Sequence, residues 1–172
     1  QMCKETGSEL GRAVAERLAS EGAKLSLVDL SAEGLEQTAE AVRQANPEAE
    51  VITSTADGTD PEQVNSFISR TASELSSIDG FFNNAGIEGK QNLTEDFGQD
   101  EFDKVLAVNL RGVFLGLSGV LKVMREQGSG RVVNTASVGC TARVIGVELL
   151  HRSFDHGGPD SPRSDGVDGD AV

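Results

Sequence analysis

The sequence predicts an α/β fold, a doubly wound parallel sheet covered by helices on both faces. Apolar positions alternate between helical spacing and short strand-like runs up to about residue 136. Helices long enough for right-handed crossovers separate the strands, which makes the sheet mainly parallel. A length of 172 residues with 37% hydrophobic content suits one domain with an aliphatic and Phe core.

The elements follow in order. Leu10, Ala13, Val14 and Leu18 mark a first helix, and Lys24 to Val28 a strand ending at Asp29. Leu35, Ala39, Val42 and Ala45 mark a second helix, stopped before Pro47, and Val51 to Thr53 a strand. Asp60 before Pro61 is a helix start, an oxygen cap followed by proline at the first helical position, and Val64, Phe67, Ile68, Thr71 and Leu75 form its buried stripe. Ile78 to Phe82 reads as a strand, Phe102 to Met124 as a long helix with Val105, Leu106, Val113, Phe114, Leu117 and Leu121 apolar, and Arg131 to Ala136 as a further strand. Residues 1 to 139 thus make one domain. Ala142 to Leu150 is a last semi-apolar run, and the tail 140–172 is expected to be divergent and largely disordered, because Ser153 to Val172 has almost nothing to bury.

Composition narrows the chemistry. There is no tyrosine and no tryptophan, so phenol chemistry is excluded within these residues. A formal charge of −13 would repel a phosphate backbone or an anionic membrane surface, which argues against nucleic acid and membrane partners. No unbroken apolar run reaches the roughly 20 residues that span a bilayer. Cys3 and Cys140 lack metal-ligand spacing, and with no signal segment in view a cytoplasmic location is expected. His151, Asp155 and His156 could suggest a metal, but the five-residue spacing of the two histidines does not place them on one helical face, so no metal site is expected.

The turn Thr6-Gly7-Ser8-Glu9-Leu10-Gly11 enters the first helix, where backbone amides and the helix dipole suit a pyrophosphate. Glu9 stands where a third glycine would be wanted, and the turn could equally serve as a surface-helix cap. Asp29 ends a strand close to the offset at which a carboxylate accepts both ribose hydroxyls of NAD, and it would repel the 2′-phosphate of NADP. Asp29 could also be an ordinary exposed strand end.

Three further segments make the pattern specific: Asn83-Asn84-Ala85-Gly86 after a strand, Asn109 inside the long helix, and Ser137 at the end of the last strand. With these, residues 7 to 139 resemble the classical short-chain dehydrogenase/reductase family, truncated at both ends. The resemblance implies a Rossmann-like sheet and NAD-linked hydride transfer on an alcohol or ketone. It places Gly7, Gly11, Asp29, Asp57, Asn83, Ala85 and Gly86 at the cofactor. Asn109 would hold a proton-relaying water, and Ser137 would bond the substrate carbonyl. Association of copies through the long helix, 101–127, is also implied.

Both ends depart from the family pattern. The positions expected for the catalytic tyrosine and lysine hold Leu150 and Phe154, and the last lysine is Lys122. That pair supplies general acid–base assistance worth roughly 100- to 10,000-fold. His151 adjoins the vacancy within a stretch that otherwise lacks the family pattern. Gln1 to Glu5 lack the apolar strand that precedes the glycine turn, so two strand edges are expected to lose partners and the sheet to be marginal. The expectation is a chain inactive in catalysis, either an NAD-binding module or a truncated or out-of-frame fragment.

Overall fold

The structure, a computed structural model, describes residues 2–4, 9–90 and 92–135. Five parallel strands alternate with helices. They are β1 (Met2–Lys4), α1 (Glu9–Ser20), β2 (Leu25–Asp29), α2 (Ala32–Ala45), β3 (Val51–Thr55), α3 (Pro61–Leu75), β4 (Gly80–Asn83), α4 (Gln99–Leu106), α5 (Val113–Gln127) and β5 (Arg131–Asn134). The sheet order is β3-β2-β1-β4-β5. The expected tail, 140–172, lies outside the described residues.

One expectation is corrected here. The first strand is present: Met2 pairs with Ser26 of β2 and with Phe81 of β4, and Lys4 with Val28 and Asn83. A slot between two strands is filled by backbone N–H and C=O groups, which every residue except proline carries in full. A search for an apolar run therefore misses a strand only three residues long. The two edges expected to be orphaned have partners over those residues.

The sheet separates two cores. Leu25 and Leu27 face α1 and α2, packing with Ala15, Ala19, Leu35, Ala39 and Val42. Val28 and Phe81 face α3 and α5, packing with Val64, Phe67, Ile68, Val120 and Met124. This alternation follows from the period of two in a strand. Gly116 allows α5 to lie directly on β4, since a Cβ there would stand 3.0 Å from Phe81 Cζ.

Ser26 is buried on the α3 side, where its hydroxyl meets Thr71 Oγ1 at 2.7 Å, and Thr71 Oγ1 donates to the Phe67 carbonyl at 2.7 Å. Thr71→Val keeps the shape but removes the acceptor for Ser26, so urea melts are expected to show a loss of about 1–3 kcal/mol. Ser26→Ala, which removes the stranded hydroxyl itself, is expected to cost less.

Asp60 caps α3 as the sequence predicts. Its Oδ1 accepts from the amides of Glu62 (2.8 Å) and Gln63 (3.2 Å), and Oδ2 from Gln63 Nε2 (2.9 Å). The Gln63 side chain first, then the two backbone amides, hold this carboxyl below its ordinary pKa. A pKa depressed by folding adds stability above the unfolded value, and this is lost as pH falls through the folded one. The difference in melting temperature between the native chain and Asp60→Ala is therefore expected to shrink as pH drops below about 4.

The long helix is not a regular α-helix. Residues Ala107–Gly112 form a π turn between α4 and α5. The continuous stretch Gln99–Gln127 is also long and apolar enough, by length and composition, to cross a membrane, with mean hydropathy 1.5 in its 18-residue window. Counting unbroken apolar runs missed it because Arg111 and Lys122 interrupt the pattern. Gly116, Gly119, Val120 and Met124 account for the buried side of α5. Phe114 and Leu121 remain exposed, at 64% and 50%.

Candidate active site

All five strands run the same way, so their C-terminal ends share one rim. The chain winds from β1 to β2 to β3, then crosses back to β4 on the other side of β1. The rim between β1 and β4 is thus the switch point at which parallel sheets of this kind hold ligands.

Asp29 sits on this rim as the last residue of β2, half-buried, with its Oδ1 accepting from the Ser31 amide at 2.8 Å. The same Ser31 caps α2 through Gly34 N–H. The Asp29 carbonyl accepts from Ala56 N–H at 3.0 Å, and this bond brings the Ala56-Asp57 turn beside Asp29. Asp57 is held in its own turn, with Oδ1 accepting from both Thr59 N–H and Thr59 Oγ1 at 2.8 Å. Leu30, beside Asp29, is 63% exposed. The sequence reading passed over Leu30, although an apolar residue directly after a strand-end carboxylate is a readable signal.

Beyond β4 the chain carries Asn84, Ala85 and Gly86 along the rim. Thr135 N–H bonds the Asn83 carbonyl at 3.0 Å, and Thr135 Oγ1 donates to Asn84 Oδ1 at 2.7 Å. These bonds extend the pairing of β4 with β5 past the strand ends. Ala85 is buried and Gly86 exposed. Asn83, expected at the cofactor, is itself buried, and its Nδ2 donates toward Val113 O and Asn134 Oδ1.

Asn109 lies within the π turn. Its Oδ1 accepts from Ile87 N–H at 2.9 Å, and its Nδ2 donates to Ile87 O at 2.8 Å. Both polar ends of the side chain are occupied by Ile87, so it binds the loop after β4 to the helix. Ile87 could not be found from sequence, because it takes part only through its backbone.

Glu9 opens α1, with its carboxylate at the positive end of the helix. Gly11 is buried within that helix. Gly7, Ser137, Leu150, His151, Phe154, Asp155 and His156 lie outside the described residues. The structure therefore brings together Asp29 with Asp57, and Asn83 to Gly86 with Asn109.

The profile of the short chain dehydrogenase family matches residues 6–149. Levodione reductase of Leifsonia aquatica is 61% identical over 151 residues, covering 88% of this chain and 56% of its own length. The 2-(R)-hydroxypropyl-CoM dehydrogenase of Xanthobacter autotrophicus is 42% identical over 130 residues, covering 74% of this chain and 52% of its own. The chain spans about half the length of these curated relatives. Among solved structures, a levodione reductase superposes with TM-score 0.81 over 83% of this chain and 55% of its own, at 61% identity. An NAD+-bound xylitol dehydrogenase superposes with TM-score 0.79 at 34% identity, over 83% of this chain and 54% of its own. With its parallel sheet, switch-point rim and Asn-Asn-Ala-Gly segment, the chain belongs to the short-chain dehydrogenase/reductase family.

Proposed function

We propose that these residues are the cofactor-binding half of an NAD-linked oxidoreductase acting on a small alcohol or ketone, and that by themselves they bind NAD without turning it over. The observation that carries this reading is Asp29, a half-buried carboxylate on the rim with the Ala56-Asp57 turn beside it. Its ionised oxygens suit the two ribose hydroxyls of NAD and repel a 2′-phosphate, so NAD is the cofactor rather than NADP. Asp57 and the exposed Leu30 offer a polar and an apolar surface for the adenine. Ala85 and Gly86 line the route toward the nicotinamide, whose chemistry when bound is to give or accept hydride. Gly7 and Gly11 belong to the phosphate turn.

Ser137 is assigned to the substrate carbonyl and Asn109 to the proton path, with its side chain acting on Ile87. Levodione is the substrate candidate suggested by the 61%-identical relative. No tyrosine is present to exchange the proton. Residues 1–139 are read as this cofactor domain, and the cytoplasm as the location.

The exposed stripe of Phe102, Leu110, Phe114 and Leu121 favours a homo-oligomer joined through the helix 101–127. Fluorescence titration tests the binding claim. NADH emission is expected to change saturably on adding the chain, with NADPH binding more weakly. A flat NADH titration on folded protein would overturn it.

A further inference from the structure

We propose that Asn83 is a positioning residue, whose buried side-chain amide grips the Val113 carbonyl and so fixes the π turn that carries Asn109. Two amide staples join the same pair of segments. Asn109 clasps both backbone groups of Ile87, and Asn83 Nδ2 donates to Val113 O at 3.2 Å. The anchor points are four residues apart on each side, 83 and 87 on the chain leaving β4, and 109 and 113 on the helix. Between them lie Asn84, Ala85 and Gly86 on one side and the second half of the π turn on the other.

A π turn interrupts the i to i−4 succession of backbone bonds, and such interruptions are held open where a side chain enters the ladder. Asn83 is at that border. It is 1% exposed, and it packs against α5 one turn before Gly116, where an added Cβ would stand in ordinary contact, 3.5 Å, with Asn83 Nδ2. Asn83 Oδ1 has no hydrogen-bond partner among the described residues. A buried acceptor left unpaired is costly. The Nδ2 group also reaches Asn134 Oδ1 at 3.3 Å, which ties β4 to β5 and supplies a control for a purely sheet-stabilising role.

This inference rests on Asn109 belonging to the active site, yet its test uses neither cofactor nor turnover, so failure of NAD binding alone leaves it standing. Amide hydrogen exchange by NMR compares Asn83→Ala with Asn134→Ala, each normalised to the core amides of β2. In Asn83→Ala, Ile87 N–H and the amides of 110–113 are expected to exchange about tenfold faster, the effect of losing one hydrogen bond of ordinary net strength. In Asn134→Ala they are expected to keep the native protection. Equal loss in both variants, or no loss in Asn83→Ala, would overturn the proposal. If Asn83→Ala does not fold, the native chain decides: slow exchange of the Asn83 side-chain NH2 together with Ile87 N–H is expected, and rapid exchange of that NH2 would overturn it.

Discussion

Mixed with NADH and a panel of ketones that includes levodione, these residues are expected to leave NADH absorbance at the rate of the protein-free control. Hydride transfer to a carbonyl needs a proton delivered to the oxygen as the hydride arrives, and a positioned acid contributes roughly 100- to 10,000-fold. The sequence offers no tyrosine, and its last lysine, Lys122, precedes the final strand. The described rim contributes carboxylates and amides. Asp29 and Asp57 are committed to turn amides, and both polar ends of the Asn109 side chain are held by Ile87. None of these is an acid aimed at a substrate. Turnover that scales with protein and vanishes on denaturation would contradict this reading.

The second large effect is on cofactor affinity. Asp29→Ala is expected to weaken NADH binding about 10- to 100-fold, since a hydrogen bond to a charged group contributes about 1.5–3 kcal/mol. The same change is expected to narrow the preference over NADPH, because the carboxylate that repels the 2′-phosphate is gone. The fold should tolerate it. One partner lost is the Ser31 amide, in an exposed turn, whereas the bond from Ala56 goes to the Asp29 backbone and survives. Paired NADH and NADPH titrations of a variant with a native circular-dichroism spectrum check this, and unchanged NADH affinity would remove Asp29 from the site.

Much of the fold was legible because burial imposes periodicity. Val64, Phe67, Ile68, Thr71 and Leu75 repeat at helical spacing and all lie on the buried side of α3. The Asp60-Pro61 start was readable for the same kind of local reason. The strand Met2–Lys4 was not, because what holds it is backbone pairing on both edges. The π turn at 107–112 was not either, since the amides that meet it come from residues distant in sequence: Ile87 at Asn109 within the turn, and Asn83 at Val113 just after it. Within the site, Asp29 announced itself by standing at the end of an apolar strand. Asn83 is the instructive case, because the motif that identified it did not show that its side chain turns inward, toward α5, while its neighbours follow the rim.

The central claim is that the rim at the ends of β2, β3 and β4 is a dinucleotide site formed by this chain alone. Adding NAD to the isotopically labelled protein and following backbone amide shifts tests it most directly. The account predicts saturable shifts clustered at Asp29, Leu30, Ala56, Asp57, Ala85 and Gly86, with the exposed face of α5 around Phe114 and Leu121 unmoved. A folded protein whose rim amides stay still at saturating NAD, or whose shifts gather on that helix face instead, would contradict it.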